Sequence, residues 1–283
     1  VRQRRRESEN PQPNQTAPLR VVAFLQLCNE LASGNLIRCL EGCKKWAEDI
    51  YIYDDCSEDG SQEIYPLYTN MSNVILGTVR EFDKELYHKE QLLSLALASR
   101  PDWIGWIDGD VILSNALSTQ CQQILGQAGN AGYDSIAVHN LNLWRHPCFF
   151  RTDNMFNDLW HIVFWKNNGN LRYEAVPGLH QLQYPSGMTH TLNLPLDQCL
   201  LHYGFASERQ IARKYLTYKS YGQSGWSLER LIDEQTSFEV SRTPLNWFPD
   251  ENRPHDFAGE LQPISYDKYR PFCSWDEYER SSQ

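Results

Sequence analysis

The chain has 283 residues, a net charge of −10 and 41% hydrophobic residues. That length suits one large α/β domain, or one domain with a smaller appendage, and the composition is that of an ordinary globular protein. The acidic balance excludes a whole-surface grip on nucleic acid or anionic membrane, and no stretch approaches the roughly 18 apolar residues of a membrane span. The one basic run, Arg2 with Arg4 to Arg6, lies in a Pro/Asn/Gln-rich leader over residues 1–18. Low hydrophobicity there predicts a disordered tail rather than a nucleic-acid arm. Eight cysteines are scattered without a C-x-x-C pair, which argues against a zinc ribbon. Cys39 and Cys43 fall one helical turn apart and read as small buried hydrophobes.

Arg20 to Leu27 (RVVAFLQL) reads as the first buried strand, and Asn35 to Trp46 carries apolar residues at helical spacing. Asp49 to Tyr53 is a second strand, closing on the acidic turn Asp54, Asp55, Cys56, Ser57, Glu58, Asp59, Gly60, Ser61. A short helix, a third strand at Val74 to Leu76 and a helix over Lys84 to Ala98 follow, the last halted by Pro101. Trp103 to Leu113, WIGWIDGDVIL, reads as a buried apolar strand that carries Asp108 and Asp110 around Gly109. A helix over Leu117 to Leu125 and a strand at Ser135 to Val138 come next. The aromatic run from Trp144 to Trp165 shows no clear period and is expected to be irregular, serving as core or as a sugar-stacking surface. Leu200 to Phe205 closes the core, Ser207 to Tyr221 is helical, and from about Thr236 the chain lacks periodicity. The Lys214, Tyr215 and Lys219 region reads as an ordinary amphipathic helix, with a lid over a diphosphate or a membrane-proximal patch as the other readings.

Alternating strands and helices predict βαβ units and a mostly parallel sheet. Ligands gather beyond the carboxyl ends of strands in such sheets, and Asp54/Asp55 and Asp108/Asp110 each fall just past a strand. Strand alternation sets Asp108 and Asp110 on one face about 7 Å apart, within reach of one divalent cation, with Gly109 allowing close backbone approach to a bound group. Taken alone, each acidic turn is no more than a solvated loop; their shared edge is what points to a metal–diphosphate site. Ser57, Asp59 and Gly60 read as turn and cap residues. Arg151 fits a phosphate contact or a structural ion pair equally well.

The DDCSEDGS turn, the His88-Lys89 helix and the WIGWIDGDVIL strand together resemble a GT-A glycosyltransferase of the family 2 type, over roughly residues 19–205. The resemblance implies an α/β, Rossmann-like catalytic domain at 19–205 and a helical or irregular extension at 206–283. It implies a nucleotide-diphosphate sugar donor, UDP- or GDP-linked, and a hydroxyl-bearing glycan acceptor, with transfer by inversion. Asp54 or Asp55 would meet base and ribose, Lys89 the base or phosphates, and Asp108 and Asp110 the ribose and a Mn²⁺ or Mg²⁺ ion. Such an ion neutralises the leaving diphosphate as a Lewis acid. His202 in LLHYGF is implied as a further metal ligand, with His180 in competition. An inverting transfer needs a carboxylate base; Asp153 is the first candidate, with Asp158 and Glu174 behind it, and the family's usual Glu-Asp pair is not evident.

Two other readings remain open. A sugar nucleotidyltransferase shares the acidic pair, yet needs a Gly-rich basic loop after the first strand, and LQLCNELASGN lacks one. An inactive transferase-like binding module is the non-enzyme alternative. The cysteine pattern leans toward a cytoplasmic protein, with membrane-peripheral attachment as a variant of that expectation.

Overall fold

The computed structural model describes residues 18–153, 156, 159–174 and 184–282. The leader over 1–17, Asp158 and His180 lie outside the described residues. In chain order the strands and α-helices are β1 (Val21–Leu27), α1 (Asn35–Cys43), β2 (Asp49–Asp54), α2 (Ser61–Ile64), β3 (Met71–Leu76), α3 (Glu85–Ala98), β4 (Trp103–Asp108), β5 (Val111–Leu113), α4 (Asn115–Asn130), β6 (Ser135–Trp144), β7 (His146–Arg151), β8 (Trp160–Lys166), β9 (Thr191–Asn193), β10 (Leu200–His202), α5 (Glu208–Ser220), α6 (Trp226–Glu229), β11 (Val240–Arg242) and α7 (Trp275–Ser281).

The fold is the expected α/β class, with a sheet flanked by helices. Strands β3, β2, β1 and β4 are parallel neighbours in that order. Beyond β4 the sheet becomes mixed: β8 runs antiparallel to β4 and β6, and β7 antiparallel to β6. Strand β1 is apolar on both faces because both are covered. Val21, Ala23 and Leu25 pack with Leu36 and Leu40 of α1, while Val22 and Phe24 pack with Leu92, Leu93 and Ala96 of α3. Continuous apolar runs of this kind are what a doubly covered parallel sheet requires. Cys39 and Cys43 lie buried on α1, as small hydrophobes do.

Several boundaries differ from the sequence reading, each for a physical reason. The run from Trp103 to Leu113 is two strands, not one, because Gly109 and Asp110 form a turn and β5 leaves to pair with β10. Strand β6 continues to Trp144 through His139, Asn140 and Asn142. These polar residues interrupt the apolar pattern, yet Asn142 is buried because it meets His202. Helix α4 is longer than its apolar stripe, since its first turn is capped by Ser114 and Gln122, Gln123 and Gln127 carry it in a polar face. Among its described residues the aromatic run is regular where irregular chain was expected: it holds β7 and β8, and Trp144, Phe149, Phe164 and Trp165 are core. Helix α5 lays Ile211, Ala212, Tyr215 and Leu216 on Trp144, Phe156 and Phe205, and β11 adds to the sheet beside β7. No helix among the described residues is long and apolar enough to cross a membrane.

Gly105 sits where β4 passes between two rings. A Cβ there would lie 2.6 Å from Phe164 and 2.6 Å from Trp46, two side chains already in edge-to-face contact at 5.2 Å. Neither ring has a flexible end to yield. Gly105→Ala is therefore expected to cost about 1–3 kcal/mol by overpacking, read as a lowered urea midpoint. An unchanged midpoint would show that the rings can part.

Candidate functional site

The register of the parallel strands builds the site. Leu27 of β1 lies beside Asp54 of β2, and Gln26 beside Asp108 of β4. The two acidic motifs therefore end on one edge of the sheet, at the carboxyl ends of its strands.

Within the first motif the adjacent aspartates have different surroundings. Asp54 is fully buried; it accepts hydrogen bonds from Ser57 N at 2.6 Å and from the Tyr65 hydroxyl at 2.5 Å. Both its oxygens hold the turn. Asp55 accepts from Glu81 N at 2.8 Å through one oxygen, and its Oδ2 is buried without a partner. Burial raises its pKa above the usual carboxylate value. Ser57 and Asp59 tie this turn to the loop after β1, accepting from Asn29 N and Ala32 N, and Gly60 takes a positive φ of 87° before α2. They are turn residues, as their types suggest.

In the second motif Gly109 does allow a close approach, but to the protein's own loop: a Cβ would come within 2.8 Å of Leu27 and of Glu30. Asp108 is pushed up to about 7, chiefly by burial, with Lys89 acting in the opposite direction. Asp110 faces His202 Nε2 at 3.1 Å and Lys214 Nζ at 2.8 Å. Burial favours its neutral acid, but His202 and Lys214 outweigh that and hold the carboxyl well below its ordinary range. His202 comes from β10, which pairs with β5 and β6. Its Nδ1 lies 2.6 Å from Asn142 Oδ1, so Nδ1–H donates to that oxygen and Nε2 is the nitrogen that faces Asp110.

These residues meet at a cavity of about 260 Å³ lined by Asp55, Asp108, Gly109 and Asp110. Of the rest of its wall, the sequence reading touches only the Lys214 region, and favours an ordinary amphipathic helix there. Glu30 comes from the loop after β1, Arg80 from the loop after β3, and Arg213, Lys214, Tyr218 and Tyr221 from α5 and its end. An adjoining groove of about 620 Å³ shares Arg80 and Arg213 and adds Arg38 and Arg209. The helical period of α5 was visible in the sequence, but nothing local indicated what its polar residues would face.

Three expected site residues stand differently. Lys89 is fully buried, donates to Glu85 at 2.5 Å and lies 4.1 Å from the Trp106 ring; Glu85, not Lys89, is in the cavity wall. Asp153 is not in that wall either. Both its oxygens meet Arg151, at 2.7 and 2.9 Å, and Oδ1 also accepts from Glu239 N. Against burial, the Arg151 hydrogen bonds hold its pKa below the usual value. Arg151 itself donates to the carbonyls of Arg230, Asp233 and Ser237, so of its two readings the structural ion pair is the one found. Glu174 is exposed.

The donor set at Asp110 and His202, a carboxylate oxygen and an imidazole nitrogen with its other nitrogen tied from behind, is compatible with a divalent ion such as Mn²⁺ and suits Mg²⁺ less well, and a cation, the Lys214 ammonium, already sits on it. Among the described residues no three His, Cys, Asp or Glu side chains come together as a metal cluster. A divalent ion here would complete its shell with oxygens of a bound ligand, as Mg²⁺ does on substrate phosphates.

No protein-family model matches the chain, and no curated protein matches it. Solved structures to which it is similar include S. aureus TarS 1–349, at TM-score 0.44 and 9% identity, over 75% of this chain and 69% of that one. Another is the mannosyltransferase PcManGT from Pyrobaculum calidifontis in complex with GDP-Man and Mn²⁺, at TM-score 0.42 and 13% identity, over 74% and 65%. S. aureus TarS 1–349 in complex with UDP-GlcNAc matches at TM-score 0.37 and 13% identity, over 44% of this chain and 35% of that one. The match spans 22% of the longer TarS chain. These are similarities of outline; the cavity residues carry the functional reading.

Two outcomes are expected from this geometry. Asp153→Ala leaves the buried Arg151 guanidinium without its carboxylate and should destabilise the fold by about 3–5 kcal/mol. Urea unfolding measures this, and a loss under about 1 kcal/mol would remove the scaffold role. His88 is buried, stacks on Tyr53 at 3.8 Å and faces Gln26 Nε2 through Nδ1 at 2.8 Å; burial lowers its pKa to about 4. Below pH of about 6.5 the unfolded chain binds a proton there that the folded chain refuses until about 4. Stability should thus fall as pH drops through that window, and His88→Gln should flatten the slope. An identical slope in the variant would refute the assignment.

Proposed function

We propose that this chain is a glycosyltransferase of the GT-A type, binding a nucleoside-diphosphate sugar in the cavity and passing the sugar to a hydroxyl of a glycan acceptor. The observation that carries this is the meeting of Asp55, Asp108 and Asp110 with Arg80, Arg213 and Lys214 around one cavity. A nucleoside diphosphate needs both signs: acceptors for the hydroxyls and N–H groups of ribose and base, and cations for the phosphates.

In this reading Asp55, with Oδ2 unpartnered, takes the base or ribose, and Arg80 and Arg213 meet the diphosphate. Asp54 holds the turn that presents Asp55. Asp108 lies toward the ribose, while Asp110 and His202 hold a Mn²⁺ or Mg²⁺ ion. That ion, when bound, neutralises the leaving diphosphate as a Lewis acid. The adjoining groove with its four arginines is the acceptor side. Asp153 belongs to the scaffold rather than to proton transfer, and Lys89 supports the site from beneath through Glu85. Inversion at the anomeric carbon is the proposed outcome, to be read from the configuration of the product.

The test is a thermal-shift panel of UDP-, GDP-, dTDP- and CMP-sugars, each with Mn²⁺ and with EDTA. A ligand that binds only the folded state raises its stability with concentration over Kd. One nucleotide, UDP- or GDP-linked, is expected to stabilise the protein with metal and to lose that effect in Asp110→Ala. No stabilisation by any of them would remove the donor site. Stabilisation without release of nucleoside diphosphate, across many acceptors, would make the chain a binding module.

A further inference from the structure

Lys214 reaches Asp110 from α5 by passing over Gly204, and the passage is built for it. A Cβ on Gly204 would lie 2.4 Å from Lys214 Cε, 2.5 Å from its Nζ and 2.4 Å from Asp110 Oδ2. Any side chain at 204 would close the route. Beneath it, Asp110 Oδ2 and His202 Nε2 stand 3.1 Å apart. With Nδ1–H given to Asn142, a neutral imidazole would point its Nε2 lone pair at the carboxylate, an arrangement that repels unless positive charge joins the two. The ammonium supplies it, at 2.8 Å from the carboxylate and 3.3 Å from the imidazole.

A divalent ion would need those same two lone pairs. An ammonium and a dication cannot share them without strong repulsion in so enclosed a site. We propose that Lys214 is a tethered cation that holds the metal seat of the donor-free protein and leaves Asp110 before a divalent ion binds there. The inference rests on the proposed metal at Asp110 and His202. Its stem is flexible and the diphosphate offers the displaced ammonium a new partner in the same cavity. Metal and nucleotide should then promote each other's binding, since each removes an obstacle to the other.

The experiment is Mn²⁺ titration followed by the EPR signal of free Mn²⁺, on the full chain without donor and then with GDP or UDP. Lys214→Met keeps the stem and removes the charge; it should bind Mn²⁺ about ten-fold tighter than the native protein in the absence of nucleotide. Lys214→Arg keeps the charge and should bind as weakly as the native protein. Lys214→Gln carries the same expectation as Met, should the Met variant not fold. Equal Mn²⁺ affinity in the native and Met proteins would overturn the role of Lys214 while leaving the metal site intact. No Mn²⁺ binding in any of them, even with nucleotide, would overturn the metal reading and this inference together.

Discussion

The register of β1 is the constraint on which the site depends. Because β1 is buried on both faces, shifting it by one residue would exchange Val22 and Phe24 with Val21, Ala23 and Leu25 between two differently shaped cores. The register is therefore strongly specified by packing. It sets Asp54 beside Leu27 and Asp108 beside Gln26, so hydrophobic packing far from solvent decides where the carboxylates meet. The loops beyond the strands then pack on one another without slack. Gly109 abuts Leu27 and Glu30, and a Cβ on Gly77 would lie 3.0 Å from the Asp54 carbonyl oxygen.

Bringing carboxylates together is electrostatically unfavourable, and the cavity shows how the cost is met. Burial raises the pKa values of Glu30, Asp55 and Asp108. Asp110 alone among these four is held firmly ionised, by His202 and Lys214 against the effect of burial. One carboxylate is thus matched by direct cations, while Glu30 is held by the neutral donors Ser33 and Asn35 and Asp55 keeps Oδ2 without a partner. Arg80 and Arg213 line the same space and supply a complementary demand for an anion. A ligand that carries phosphates at one end and hydroxyl or amide donors at the other relieves both at once.

Much of the parallel half was legible because its signals are local. Apolar runs of four to seven residues gave β1, β2 and β4, and acidic turns after two of them gave the shared edge. The mixed half was not, because its evidence is distant. His139, Asn140 and Asn142 look like the end of a strand until His202, sixty residues later, is seen to need Asn142. The aromatic run lacked alternation because both faces of β7 and β8 are occupied by large rings. Helix α5 was visible as a helix, but Lys214 looks like any solvated lysine until Gly204 clears its way to Asp110.

Asp54 and Asp55, and Asp110 and Asp153, make the same point in pairs: a carboxylate is available to a ligand only to the extent that the fold has not already used it. Arg151 and Asp153 are two apart on an extended segment, so they share a side and close on each other. That local geometry is readable from spacing, and it should lower the standing of any acid two residues from an arginine at the end of a strand. Asp54 loses its freedom to a tyrosine eleven residues on, whereas Asp55, pointing the other way, keeps one oxygen open. Asp110 is different again. Its partner is a flexible cation that can be exchanged for another, whereas the partners of Asp54 and Asp153 are backbone, a fixed ring hydroxyl and a buried guanidinium. An occupied carboxylate with an exchangeable partner is still a site; one with fixed partners is scaffold.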